Sequence, residues 1–272
     1  MSAIRALLSD LIDYAGLFPP AGLDMASAVR NYNAYKNGEY SWALGRFVVP
    51  ATRLDELGSF AAGSSMRLAV LGIAQSSIPN VEALELKATR ASEIEAAVGR
   101  LPANSITYFE IPASENGDEL ISTLARHHVR AKVRAGGVTE SAFPHSRELI
   151  GFIANCKRAN VPWKATAGLH HPLRGVYRLT PEPDGPVCMM HGFVNLFLTA
   201  VVLNSGGSEG QARAILEDTA VDAFEFSDAT VRWRSIHLTT AQIRDARQNF
   251  AISFGSCSFE EPIADLKALG WL

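Results

Sequence analysis

A single α/β domain of the (β/α)8, TIM-barrel type is the fold the sequence predicts, on three observations. Short β-branched runs alternate with helical patterns almost to the end of the chain, as repeated βα units with a parallel sheet require. The length, 272 residues with 47% hydrophobic side chains, suits one barrel with one large core. No glycine-rich dinucleotide fingerprint follows the early strands, which counts against an open Rossmann sheet.

Residues 1–44 come before the first clear strand and read as an N-terminal helical extension or cap, with 11–17 as an alternative irregular strand. The barrel proper is then 45–272. Strands are expected at 46–50 (RFVVP), 67–73 (RLAVLGI), 81–88 (VEALELKA), 105–112 (SITYFEIP), 130–136 (RAKVRAG), 163–168 (WKATAG), 223–227 (AFEFS) and 251–257 (AISFGSC). Helices are expected over 91–99, over 146–159, where Leu149, Ile150, Phe152, Ile153 and Cys156 share a stripe, and over 260–269. The gap between the second and third strands has little room for a helix. A long insertion after the sixth strand, from His170 to Asp222, holds a Pro/Gly-rich stretch at 180–186 and an apolar helix at 192–203. Long βα connections in barrels usually cover or build the active site.

Composition narrows the partners. A formal net charge of −3 with no basic block argues against nucleic acid and against an anionic membrane surface. The longest apolar stretch, 193–203, is too short for a bilayer, and no charged-then-apolar leader opens the chain. Cys156, Cys188 and Cys257 lack CxxC spacing, which fits reduced thiols in the cytoplasm. The expected partner is a small-molecule substrate. A homo-oligomer is allowed for by the apolar 192–203 helix, which reads as buried or subunit-facing.

Charges embedded in apolar strands are the most informative residues. Facing the outer helices, an unpartnered charge would cost several kcal/mol, so mid-strand charges should point into the barrel and pair. Strand alternation puts Lys132 and Arg134 on one face, Lys164 and Thr166 on another, and Tyr108 with Glu110 on a third. Glu85 and Lys87 repeat the pattern, and Glu225 sits between two phenylalanines. Glu110, Lys132, Arg134, Lys164 and Glu225 would thus converge on one cup. The plain alternative is a salt-bridge network that fills the barrel, but such layers are normally branched and apolar. A lysine beside a carboxylate and another cation can have its amine pKa depressed toward neutrality, which makes it a nucleophile toward a carbonyl.

Lys132-Val133-Arg134, then a helix, then Lys164-Ala165-Thr166-Ala167-Gly168 resembles deoxyribose-phosphate aldolase and its class I relatives. The resemblance implies a Schiff base on Lys164. The turn Ser253-Phe254-Gly255-Ser256-Cys257-Ser258 is similar to the family's Gly-x-Ser-Ser turn, which implies substrate-anion contacts at Gly255 and Ser256. The family's second lysine strand is replaced here by AFEFS, which offers Glu225, and its phosphate-binding glycine pair goes with it. Read physically, the final turn lies at a helix N-terminus and is usable for an anion, or is an N-cap by Ser258 with Glu261 completing a capping box.

His170 and His171 follow the sixth strand at the barrel mouth, and His191 stands across the same connection. They read as acid/base or substrate contacts, as metal ligands, or as loop hydrogen-bonders. Cys257, near the barrel mouth, reads as a small buried residue, with a reactive thiol as the alternative. The leading expectation is a class I aldolase-type lyase acting on a small carbonyl or sugar-derived compound, with no cofactor and no metal. In it Lys164 forms the imine, Lys132 and Arg134 lower its pKa, Glu110 or Glu225 moves protons, and His170 assists; Arg134, Thr166, His171, His191, Gly255 and Ser256 bind substrate. The alternatives are a divalent-metal enzyme using His170, His171 and His191, and a barrel that binds a metabolite or partner without turnover.

Overall fold

The computed structural model describes residues 2–60, 65–73, 80–113, 117–180, 182 and 184–272. Its strands are β1 (Ile12–Tyr14), β2 (Leu44–Pro50), β3 (Leu68–Leu71), β4 (Val81–Lys87), β5 (Thr107–Glu110), β6 (Arg130–Arg134) and β7 (Trp163–Thr166). There follow β8 (Gly175–Arg178), β9 (Val187–Met190), β10 (Phe224–Phe226), β11 (Thr230–Trp233), β12 (Ile236–Thr239) and β13 (Ala251–Ser256). Strands β1 to β7 and β13 are parallel and close into an eight-stranded barrel in which β1 lies between β2 and β13. The predicted fold class is therefore the one observed.

Two predicted elements change places. The first barrel strand is β1, which lies within 11–17 and bears out the alternative of an irregular strand there over a cap: Ile12 and Tyr14 are buried and pair with β13 and β2. The segment at 223–227 is not a barrel strand. It forms a three-stranded antiparallel sheet with β11 and β12 outside the barrel. A Phe-Glu-Phe alternation suits a half-exposed antiparallel strand as well as a barrel strand, because both need one apolar face.

Helices Met25–Lys36, Leu54–Phe60, Ala91–Val98, Gly117–Arg126, Ser146–Arg158 and Glu260–Ala268 follow β1, β2, β4, β5, β6 and β13. The short β3–β4 gap includes 74–79, outside the described residues, as are 181 and 183 of the Pro/Gly-rich stretch. The long insertion follows β7, the seventh barrel strand. It comprises the β8–β9 hairpin, helices Phe193–Asn204 and Glu209–Glu217, the three-stranded sheet, and helix Thr240–Asn249. Every residue of the apolar helix from Phe193 to Leu203 is buried within this chain, so that helix is not a subunit face. Among the described residues no helix is long and apolar enough to cross a membrane.

Trp163, at the start of β7, knits sheet to helices: its ring meets Phe152 edge-on and stacks on Phe197 with centroids 5.8 Å apart. Inside the barrel a separate cluster, Val48, Ala69, Ala83 and Tyr108, uses two alanines where bulky side chains usually fill the space. Below it, Glu82 holds both Arg46 (3.1 Å) and Arg67 (2.9 Å), so the amino-terminal end is closed by ion pairs.

Arg247 is buried and donates to the carbonyls of Leu7, Ser9, Ala251 and Ile252, tying the segment before β1 to β13. Burial pulls its pKa down to about 10. Arg247→Leu leaves those carbonyls short of donors, and a loss of about 3 kcal/mol is expected in urea unfolding. An unchanged unfolding free energy would show that the four contacts contribute nothing.

Candidate active site

A cavity of about 1040 Å3 opens at the carboxyl ends of the strands, bounded by the ends of β3 to β7 and β13. This is the end at which barrel enzymes carry their sites. The cavity's rim is set by a tight turn after β7, where Ala167 and Gly168 both adopt left-handed backbone, with φ of 61° and 70°. A Cβ on Gly168 would lie 2.6 Å from the Gly136 Cα, so glycine there lets the β6 and β7 loops meet.

At the base of the cavity five charges alternate in one chain: Asp13, Lys164, Glu85, Lys132 and Glu110. Successive links are 2.6, 2.6, 2.7 and 2.9 Å. They come from β1, β7, β4, β6 and β5, and Lys132 and Lys164 are direct neighbours in the β6–β7 register. All five side chains are buried. Asp13 also accepts from the Ser253 hydroxyl (2.7 Å) and the Arg46 backbone N–H (2.7 Å). At the mouth Glu110 meets the exposed heads of Arg134 (3.6 Å) and Lys87 (3.7 Å).

The electrostatics reverse one expectation. Burial alone would lower the Lys164 pKa, but Asp13 and Glu85 outweigh it and hold the amine protonated above the ordinary lysine value. Lys132 and Arg134 do not depress it, because the two carboxylates are the closer charges. Burial would raise Glu85, but Lys132 and Lys164 bring its pKa down to about 2. Asp13 and Glu110 are lowered in the same way, burial being outweighed by Lys164 for the first and by Lys132 for the second. These depressed carboxylates bind fewer protons folded than unfolded. Their stabilisation is thus full above the unfolded pKa and is lost as pH falls toward the folded one. Glu85 alone should cost about 2 kcal/mol between neutral pH and pH 3, measured by urea unfolding. A flat stability curve over that range would contradict the network.

The remaining predicted site residues divide. Thr166 and Gly255 line the wall together, and a Cβ on Gly255 would lie 3.1 Å from the Thr166 hydroxyl. Ser256 is buried and spends its hydroxyl accepting from the Ser258 N–H (3.3 Å). Ser258 in turn accepts from the Glu261 N–H (3.1 Å), while the Glu261 carboxylate points to His170 and does not close the capping box. The final turn thus carries internal hydrogen bonds and is faced by the Glu261 carboxylate, which opposes an anion there. Glu225 is exposed on the outer sheet and paired with Arg232, far in the topology from the lysines, because its strand is not part of the barrel.

His170 and His171 both border the cavity. His170 Nδ1 lies 2.8 Å from Glu261, and His171 Nδ1 lies 2.6 Å from Asp265 with its ring stacked on Tyr177. His191 does not join them: it is buried, with Nε2 2.8 Å from the Pro144 carbonyl and Nδ1 3.3 Å from Arg174. These contacts tie the insertion to the loop after β6. Among the described residues no group of three or more His, Cys, Asp or Glu side chains is placed to hold a metal ion. Asp13 was absent from the expected site, although a lone carboxylate between Ile12 and Tyr14 is the same signal that revealed Lys132 and Lys164. Glu85, read only as part of a strand pattern, is the centre of the network.

An eight-stranded α/β barrel with a cavity at its carboxyl end and a network of paired charges at the cavity's base is the class of protein that fold and site define. Compared with protein-family models and with curated proteins, the chain matches none.

Proposed function

We propose that the protein is an enzyme, a lyase of the class I aldolase type, forming an imine between Lys164 and a small oxygenated carbonyl compound. The observation that carries this reading is the Lys164 amine itself, buried at the base of an open cavity and 2.6 Å from each of two carboxylates. Those carboxylates supply what the resting ammonium needs, a place for its protons. Lys164 gives a proton to Glu85 or Asp13, and its lone pair adds to the carbonyl carbon. The two hydrogens that the nitrogen loses leave with the carbonyl oxygen as water. The iminium then draws in the electron pair of the bond between its α and β carbons, Glu110 takes the proton of the β-hydroxyl as that bond breaks, and protonation of the resulting enamine at carbon followed by hydrolysis with water frees Lys164. Arg134 and Lys87 at the mouth suit a hydroxyl or anionic group on the substrate. The three free cysteines fit a reducing, cytoplasmic setting.

The strength with which Lys164 is held as an ammonium favours a second reading, in which it stays charged and donates a proton while Glu110 acts as base. Borohydride treatment with a panel of small aldehydes and ketones, followed by peptide mass mapping, separates the two. A stable adduct on Lys164 is expected. A broad panel that leaves no lysine modified removes the imine mechanism in favour of proton transfer.

A further inference from the structure

Cys257, His170 and Glu261 are a second chemical group in the same cavity, and the imine reading does not use the thiol. Cys257 follows β13, His170 follows the β7 turn, and Glu261 lies in the first turn of the last helix; all three border the cavity. The two ring nitrogens of His170 have different partners. Nδ1 is 2.8 Å from the Glu261 carboxylate, and Nε2 is 4.0 Å from the Cys257 sulfur. His171, the next residue, shows what simple loop docking looks like: it has Asp265 on one nitrogen, Glu261 at 4.0 Å from the other, and no sulfur. The other two cysteines are buried away from the cavity, and burial pushes both thiols up.

Burial would lower the His170 pKa, but hydrogen bonds to Cys257 and Glu261 lift it to about 10, so the ring is an imidazolium at neutral pH. A carboxylate that orients a histidine, whose far nitrogen meets a partly exposed sulfur, is the arrangement that activates a thiol.

We propose that Cys257, His170 and Glu261 form a nucleophilic thiol site that captures the carbonyl carbon of a small aldehyde as a reversible thiohemiacetal. The sulfur–carbon bond forms as the carbonyl π pair moves to oxygen, and the proton shared by the thiol and His170 passes from Nε2 to that oxygen. No other bond breaks and no oxidant is required. Cys257 is the catalytic group, His170 exchanges its proton, and Glu261 is a positioning residue. By strand register Phe254 lies level with Ala165, so Cys257 follows three residues further toward the opening, just past the end of β13, and the proposal stands without Lys164 chemistry.

The test is iodoacetamide labelling of the folded chain at neutral pH, read by peptide mass. Cys257 should react at least ~10-fold faster than N-acetylcysteine and ~10-fold faster than in His170→Gln, with Glu261→Gln between, while Cys156 and Cys188 stay unlabelled. Glycolaldehyde should protect Cys257 equally in the wild type and in Lys164→Arg, which cannot form an imine. Labelling at the N-acetylcysteine rate overturns the proposal whether or not the variants fold. Protection that disappears with Lys164→Arg overturns it as well, by assigning the aldehyde to the amine.

Discussion

Glu85→Ala is expected to lower the melting temperature by about 10 °C or more. Glu85 is the carboxylate shared by Lys132 and Lys164, with one oxygen 2.7 Å from the first and the other 2.6 Å from the second. Its removal leaves two buried ammonium groups with one carboxylate each. Breaking a buried ion pair from one side costs about 3–5 kcal/mol, and for a chain of this size each kcal/mol moves the melting temperature by about 2–4 °C. Glu85→Gln should cost less, because the amide oxygen still accepts from one lysine. Calorimetry on the two variants decides the matter. A change of only a degree or two for Glu85→Ala would mean that water replaces the carboxylate at little cost and that the interior is wetter than its burial indicates.

The second large effect is on chemistry. Lys164→Met should remove the borohydride-trapped adduct and lower turnover by on the order of 10^3-fold or more, the scale on which losing a covalent nucleophile is felt. Lys87→Met removes a side chain that is mostly in solvent, 3.7 Å from Glu110. It should change KM more than kcat. If Lys164→Met retains most of the activity while Lys132→Met loses it, the nucleophile is the neighbouring lysine, and the roles of the two amines are exchanged.

Seven of the eight barrel strands and four of the five charges at the base of the cavity were legible in the sequence, for one reason. A strand repeats every two residues, so a charge on the inner face stands out against apolar neighbours on the outer face. Lys132 beside Val133 and Lys164 beside Ala165 carry that signal clearly. Asp13 carries it too, but β1 has only three residues, and a run of three does not establish a period. Glu225 carried the same signal and was misleading, because one hydrophobic face does not say whether the other points into a barrel or into water. The sign of the Lys164 shift was illegible for a different reason. It depends on which charges come within 3 Å, and Asp13 and Glu85 reach the amine from strands 151 and 79 positions away.

That separation also governs how the protein is made. The barrel closes where β1 meets β13, and the seam is reinforced by Ser253 bonding to Asp13 and by Arg247 bonding to Leu7, each across 240 positions. During synthesis the first strand waits for its β13 neighbour until nearly the whole chain has emerged. Closing so long a loop is entropically costly before its contacts can compensate. The ring of strands around the charged cup is therefore complete only once β13 has joined β1 and Ser253 has reached Asp13. A ribosome-bound chain stalled before residue 251 should bind chaperones and remain open to protease at the first strand, whereas the released chain resists both.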